Sequence, residues 1–214
     1  MIRTRPLVWF VLRFLVLFLV LVLPWTHALS HGYAAFFRAI GNALFTNIHE
    51  DSVIVFERMD GDRERDTRVS FKHKPTGIVL PMGVNSRNKG FIATAFVAAL
   101  ALATPFPWRR RLITLAICLV VMTGFVALRQ YIFIAGTIYT DLDDWQKKTL
   151  AFLNWICVES FAGEFVIPLG IWGMISFRRK DFEEWLAPRC RKCGSRVRAN
   201  AEYCPQCGQQ IKIA

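Results

Sequence analysis

No cysteine lies in the long segment from Pro24 to Lys89. The six cysteines sit in apolar runs or near the C-terminal end instead, so a disulfide framework is not expected anywhere. The chain lacks a Gly-x-Ser-x-Gly nucleophile turn, a phosphate-binding P-loop and a dinucleotide fingerprint. It has no internal repeat and no low-complexity tract, which excludes solenoids and long disordered linkers. Acidic residues are few, 16 against 27 Lys and Arg, leaving a net charge of +11.

What the chain has in excess is apolar side chains: 54% of 214 residues are hydrophobic, with 18 Phe and 7 Trp. Soluble domains usually lie near 45–50%. The excess is gathered into four long runs, which points to an α-helical integral membrane protein with four transmembrane helices. Little remains for soluble structure. In a soluble protein the positive charge would suggest nucleic acid, but much of it flanks the apolar runs, where it sets topology.

The first run, Leu7 to Leu23, follows Arg3 and Arg5 and ends at Pro24-Trp25. Ala28-Leu29-Ser30 resembles a signal-cleavage site, but the run is longer than the roughly 7–15 residues of a signal h-region, so an uncleaved anchor is expected. Arg13, about 10 Å into the span, is placed to snorkel toward the Arg3 side. The second run, Phe91 to Thr104, is short and needs Pro105-Phe106-Pro107-Trp108 in the interface to cover about 30 Å. The third, Leu112 to Tyr139, follows Arg109-Arg110-Arg111 and is interrupted only by Arg129-Gln130. The fourth, Thr149 to Phe177, contains Glu159, Glu164 and Pro168 and ends at Arg178-Arg179-Lys180. With four spans every basic cluster falls on one side and acidic Asp141-Leu142-Asp143-Asp144 on the other, so both termini are expected in the cytosol and the chain in the inner cell membrane.

The expected organisation is an N-terminal anchor (1–30), an extracytosolic α+β segment (31–89), a three-helix transmembrane region (90–180) and a cytosolic tail (181–214). Within the extracytosolic segment, Tyr33, Phe36, Phe37, Ile40, Leu44 and Ile48 form one helical stripe. Val53-Ile54-Val55-Phe56 and Thr67 to Lys74 read as an antiparallel strand pair, joined by the charged Met59–Asp66 connection. A third short strand, Ile78-Val79-Leu80, is expected to end at Pro81. Such a unit is too small to bury much core alone and should lean on the membrane helices.

The tail carries Cys190-Arg191-Lys192-Cys193-Gly194 and Cys204-Pro205-Gln206-Cys207-Gly208. Each C-x-x-C-G turn presents two thiolates, with glycine permitting the tight bend. Cys190, Cys193, Cys204 and Cys207 together close a tetrahedral site with no open position, the signature of structural Zn2+ in a reducing compartment. A redox-active C-x-x-C is the other reading, but two symmetric pairs without a βαβ pattern argue against it. These residues, Tyr203 to Gly208 above all, resemble the short zinc-ribbon tails found on many prokaryotic proteins. The ribbon is basic through Arg189, Arg191, Lys192, Arg196, Arg198 and Lys212. Its tether near Lys180 favours membrane lipids or a docking protein over nucleic acid as partner.

A second site is expected within the membrane. Counted from the cytosolic ends of their spans, Arg129 lies about 26 Å up, Glu159 about 27 Å and Glu164 about 20 Å. Arg129 and Glu159 are level, so an ion pair pinning two helices is expected, with a proton, ion or substrate path as the alternative. Glu159 and Glu164 point about 140° apart on one helix and form no dyad. His27 and His31, at i and i+4, have a spacing compatible with a metal but no H-E-x-x-H context. Cys118 and Cys157, among apolar neighbours, should be inert.

Asn85-Ser86-Arg87, Gly90-Phe91 and Ala103-Thr104-Pro105-Phe106-Pro107-Trp108-Arg109-Arg110-Arg111 resemble small membrane proteins that accompany exosortase-type protein-sorting systems. The sorting enzymes themselves carry a cysteine on the outer side, and this chain offers none. The resemblance implies a non-enzymatic accessory or scaffold protein whose partner is another membrane or envelope protein. A small transporter or membrane enzyme using Arg129, Glu159 and Glu164 is the second hypothesis, and sensing across the membrane the third.

Overall fold

The segment between the first two apolar runs forms a three-stranded antiparallel sheet, and side-chain alternation dictates which face is covered. In a computed structural model of the chain, residues 5–23, 27–48, 50, 52–59, 65–138, 143–177, 190, 192–195 and 201–210 are described. Expectations that fall on Arg3, residues 60–64, 141–142 and 178–180, and on Arg189, Arg191, Arg196, Arg198 and Lys212 lie outside them. The chain divides into two units, Met1–Trp172 and Gly173–Ala214.

In the first unit, β1 (Ser52–Arg58), β2 (Thr67–His73) and β3 (Val79–Val84) pair in the order β1-β2-β3. Ile54, Phe56, Val69, Phe71 and Val84 share the covered face and pack on Phe37 and Phe45 of α2 (His27–Phe45) and on Val126 and Ile134 of α4 (Trp108–Ile138). Gly41 lets α2 approach closely: a Cβ there would sit 2.7 Å from the Phe56 ring. Asn42 closes the open edge of β1. Its Nδ2 donates to the Phe56 carbonyl at 3.0 Å and its Oδ1 accepts from the Phe56 N–H at 2.8 Å, replacing a missing neighbour strand.

The third strand differs from expectation, running through Pro81 to Val84. The His73 N–H donates to the Ile78 carbonyl at 3.0 Å, and two-residue alternation then makes Phe71–Leu80 and Val69–Met82 the hydrogen-bonded pairs. Pro81, opposite Ser70, faces its nitrogen away from β2 on an edge strand, so no ladder bond is lost.

Helix α1 (Arg5–Val22) packs on α3 (Ile92–Ala103) through aromatic contacts, with Phe96 edge-on to Phe14 and Phe18 at 5.3 and 5.7 Å. A π-helical turn, Arg87–Phe91, leads directly into α3. After Pro107 the 31-residue α4 extends about 46 Å. The fourth apolar run is not one straight helix. After α5 (Asp144–Asn154) come a π-helical turn at Trp155–Glu159, a break at Ser160, a second π-helical turn at Ala162–Val166 and α6 (Ile167–Ser176), with a bend of 61°. Pro168 supplies no N–H for the Glu164 carbonyl, and the widened turn before it relieves the clash its ring would cause there. Gly163 is required at the break, since a Cβ would overlap the Cys157 carbonyl oxygen.

Of the four runs, α4 alone is long and apolar enough by itself to cross a membrane among the described residues. The bent pair qualifies when counted as one span, α1 is a shorter apolar helix, and α3 has 12 residues. Bulky apolar side chains nonetheless face outward along α1 and α4, including Val20 at 59% exposed and Val120 at 72%.

Candidate metal centre and buried cation site

In the second unit, each Cys-x-x-Cys-Gly turn is built by the same two backbone bonds. The Gly194 N–H donates to the Cys190 carbonyl at 3.0 Å, and the Cys190 N–H to the Ser195 carbonyl at 2.8 Å. The second turn repeats this with Gly208 to Cys204 and Cys204 to Gln209, both 2.8 Å. Gly194 and Gly208 have φ of 73° and 69°, a region that favours glycine. An antiparallel bridge between Tyr203 and Gln210 completes the second turn.

The two turns bring all four sulfurs within 4.8 Å of one another. Cys190 and Cys207 are 3.5 Å apart and Cys193 and Cys204 3.6 Å. A tetrahedron with metal–sulfur bonds of about 2.3 Å has edges of about 3.8 Å, so the sulfurs lie close to their zinc-bound spacing. With four thiolates and no further position, the site takes structural Zn2+. It is the sole grouping of three or more His, Cys, Asp or Glu able to hold a metal among the described residues. His31 belongs to no such grouping, and the His27 side chain lies outside the description.

Spacing alone did not reveal Ser195. Its hydroxyl lies 2.9 Å from Cys193 Sγ and 3.1 Å from Cys204 Sγ, bridging the two turns. That hydroxyl, reinforced by backbone bonding, lowers the Cys193 thiol pKa and brings Cys204 down to about 6. Cys207 is pushed up to about 12: bonding at Gln209 acts in the opposite sense, but burial and the three neighbouring sulfurs outweigh it. Four negative sulfurs at this spacing require a cation among them. The hydroxyl directly after Cys-Gly was the available signal.

In the first unit Arg129 meets the backbone of Val158 rather than the carboxylate of Glu159. Its Nη2 donates to the Val158 carbonyl at 3.0 Å, and Lys89 Nζ reaches the same oxygen at 3.3 Å. The break at Ser160 frees that carbonyl from the helical ladder. Glu159 is exposed and accepts from Asn154 Nδ2 at 2.6 Å. Glu164 is partly buried and makes no hydrogen bond with Arg129, so among the described residues Arg129, Glu159 and Glu164 do not assemble into one constellation. Burial, then Arg129, lowers the Lys89 pKa, while Glu159 and Glu164 oppose the shift. Next along α4, Gln130 Nε2 donates to the Phe37 carbonyl at 3.1 Å. Lys89 and Gln130 had been legible only as a boundary charge and an interruption. Cys118 and Cys157 are buried and unpaired.

Residues 4–158 match the exosortase H-associated membrane protein family, and residues 189–211 match the zinc-ribbon domain. The chain belongs to the exosortase H-associated membrane protein family. No curated protein and no solved structure matches it. The family match covers the sheet, α1 to α5 and the π-helical turn bearing Val158, so the buried cation site lies within it and the zinc ribbon outside it.

Proposed function

We propose that this family member is a non-enzymatic accessory or scaffold subunit of an envelope protein-sorting system, crossing the inner membrane four times with both termini in the cytosol. In this reading residues 1–30 anchor the chain, 31–89 form the extracytosolic sheet unit, 90–180 carry three spans and 181–214 present the ribbon. The observation that carries it is the placement of side chains on α1 and α4. Leu12, Val16, Val20, Ile113, Ile117 and Val120 face outward while Arg129 and Gln130 are buried. An apolar surface of that extent marks lipid or a membrane partner.

The family description supports a partner among the membrane components of such a system, and in this reading that partner is an exosortase H-type enzyme. Sheet unit and ribbon then each offer a docking surface, and the ribbon's structural zinc serves shape rather than chemistry. The transporter or enzyme alternative needs Arg129, Glu159 and Glu164 to work together, and among the described residues the hydrogen bond that Arg129 makes goes to a backbone carbonyl.

Cross-linking in native membranes followed by mass spectrometry tests the reading. Recovery of the sorting enzyme bound to the sheet unit or spans is expected. A transport or catalytic phenotype lost in Glu164→Gln, with folding and partner recovery intact, would overturn it.

A further inference from the structure

Helix α5 carries large apolar side chains that the protein leaves uncovered. Trp145 is 75% exposed, Phe152 58% and Trp155, just past the helix end, 57%, and no residue of α5 is buried. Trp145 and Phe152 lie two turns apart on one side of the helix, and the Phe152 and Trp155 rings are 6.4 Å apart. Leu150, about 140° round from Trp145, packs with Ile156 against the cluster of Ile132, Cys157 and Val158. One side of α5 is thus seated on the protein, and the other is a row of exposed aromatics.

The level of α5 follows from the four-span reading, on which this inference rests. With Leu112 at the cytosolic boundary, about 30 Å of rise brings α4 to the outer boundary near Ile132. Leu150 joins the cluster around Ile132, and the chain then runs inward to Val158, where Arg129 meets it. The Asp144 end of α5 is therefore the outer one. The segment Asp144–Glu159 is inclined by 61° to Ala162–Ser176. With Ala162–Ser176 along the membrane normal, the roughly 15 Å length of α5 descends only about 7 Å. One headgroup layer is about 5–8 Å thick.

Charge follows the same order. Exposed Asp143 and Asp144 come first, exposed Lys147 and Lys148 a turn later, and the aromatic pair last. A zwitterionic phospholipid presents its ammonium outermost, its phosphate beneath and its acyl esters below that. A protein surface imposes no such order. We propose that α5 is an interfacial helix that binds phospholipid headgroups of the outer leaflet. Lys147 and Lys148 meet the phosphates, and Trp145, Phe152 and Trp155 pack toward the ester groups. The break at Ser160 then turns the chain from the headgroup layer into the bilayer.

The test uses the full chain reconstituted in phosphatidylcholine vesicles. A genetically encoded nitroxide side chain replaces Trp145, Phe152 or Val120 in turn, and collisions with oxygen and with a water-soluble nickel chelate are read by electron spin resonance. Trp145 and Phe152 should both lie in the headgroup layer, with Phe152 deeper by about 5 Å. Both should move outward in vesicles of a galactolipid, which has no phosphate. Lys147→Glu with Lys148→Glu should move them outward in phosphatidylcholine. Nickel collisions as frequent as in free solution at both positions would overturn the proposal and leave the aromatics to a protein partner. A depth difference of about 10 Å, that of an upright helix, or depths unchanged in galactolipid would overturn it too. Val120, exposed midway along the α4 span, separates the two levels of failure. It stays out of reach of nickel if the α5 inference alone is wrong, and becomes accessible if the four-span reading is.

Discussion

Arg129 donates to the backbone carbonyl of Val158 at 3.0 Å, while the carboxylate of the next residue, Glu159, turns outward to Asn154. The expected energetics are therefore asymmetric. Glu159→Gln removes an exposed charge and should change stability by no more than about 0.5 kcal/mol. Arg129→Ala removes a buried side chain and leaves the Val158 carbonyl without this donor, at a cost of about 3 kcal/mol. Thermal unfolding in detergent distinguishes the two. Recovery of stability in an Arg129→Gln, Glu159→Gln double variant would instead show a direct ion pair.

The break at Ser160 depends on Gly163. Its Cβ would meet a backbone atom, which cannot yield as a side chain would, so Gly163→Ala should destabilise by about 1–3 kcal/mol. Gly170, further along the same run, has open space around its Cβ position. Gly170→Ala should be neutral or stabilising by up to about 1 kcal/mol. Comparing the two melting temperatures isolates the close approach from the helix preference of alanine.

Asn42 stands in for a fourth strand, and its loss should be felt at one backbone position. Asn42→Leu removes both bonds to Phe56 and should cost about 1–3 kcal/mol. Hydrogen exchange at the Phe56 amide should accelerate well before the Val69 amide, in the central strand, responds. Asn42→Asp keeps an acceptor for that N–H and should protect the amide more than leucine does.

At the metal centre, Ser195→Ala leaves all four ligands in place but removes the hydroxyl shared by Cys193 and Cys204. Zinc affinity, measured by competition with a chelator, should fall by about 10-fold or more. Cys204→Ser should abolish stoichiometric zinc and unfold the ribbon. Binding should weaken as pH falls, because protons compete with zinc for the thiolates.

Legibility followed the range of the interactions. The zinc site could be read from its spacing because each turn closes within a few residues, and Gly194 and Gly208 announce the positive φ it needs. Strands β1 and β2 were visible in the alternation of Val69 and Phe71 with Arg68, Ser70 and Lys72. Pro81 misled because its effect depends on whether the strand is central or at an edge, which only the sheet order reveals. Helical rise of about 1.5 Å per residue presupposes a regular helix, and the fourth run, bent by 61° between π-helical turns, is not one. The partner of Arg129 was hidden because the Val158 carbonyl becomes available only where the fourth run breaks. That break rests on Gly163 packing against the Cys157 backbone and on the turn widened before Pro168, neither a matter of composition. Lys89 and Gln130 gained their roles from residues 69 and 93 positions away in sequence, beyond any local pattern.

The most direct test of the membrane arrangement is a pair of reporters fused in turn after Ala214 and within the β2–β3 turn at Thr76. Alkaline phosphatase should be active at Thr76 and inactive after Ala214, and a fluorescent protein that matures only in the cytosol should give the reverse. Phosphatase activity after Ala214 would place the four thiolates in an oxidising space and contradict the account.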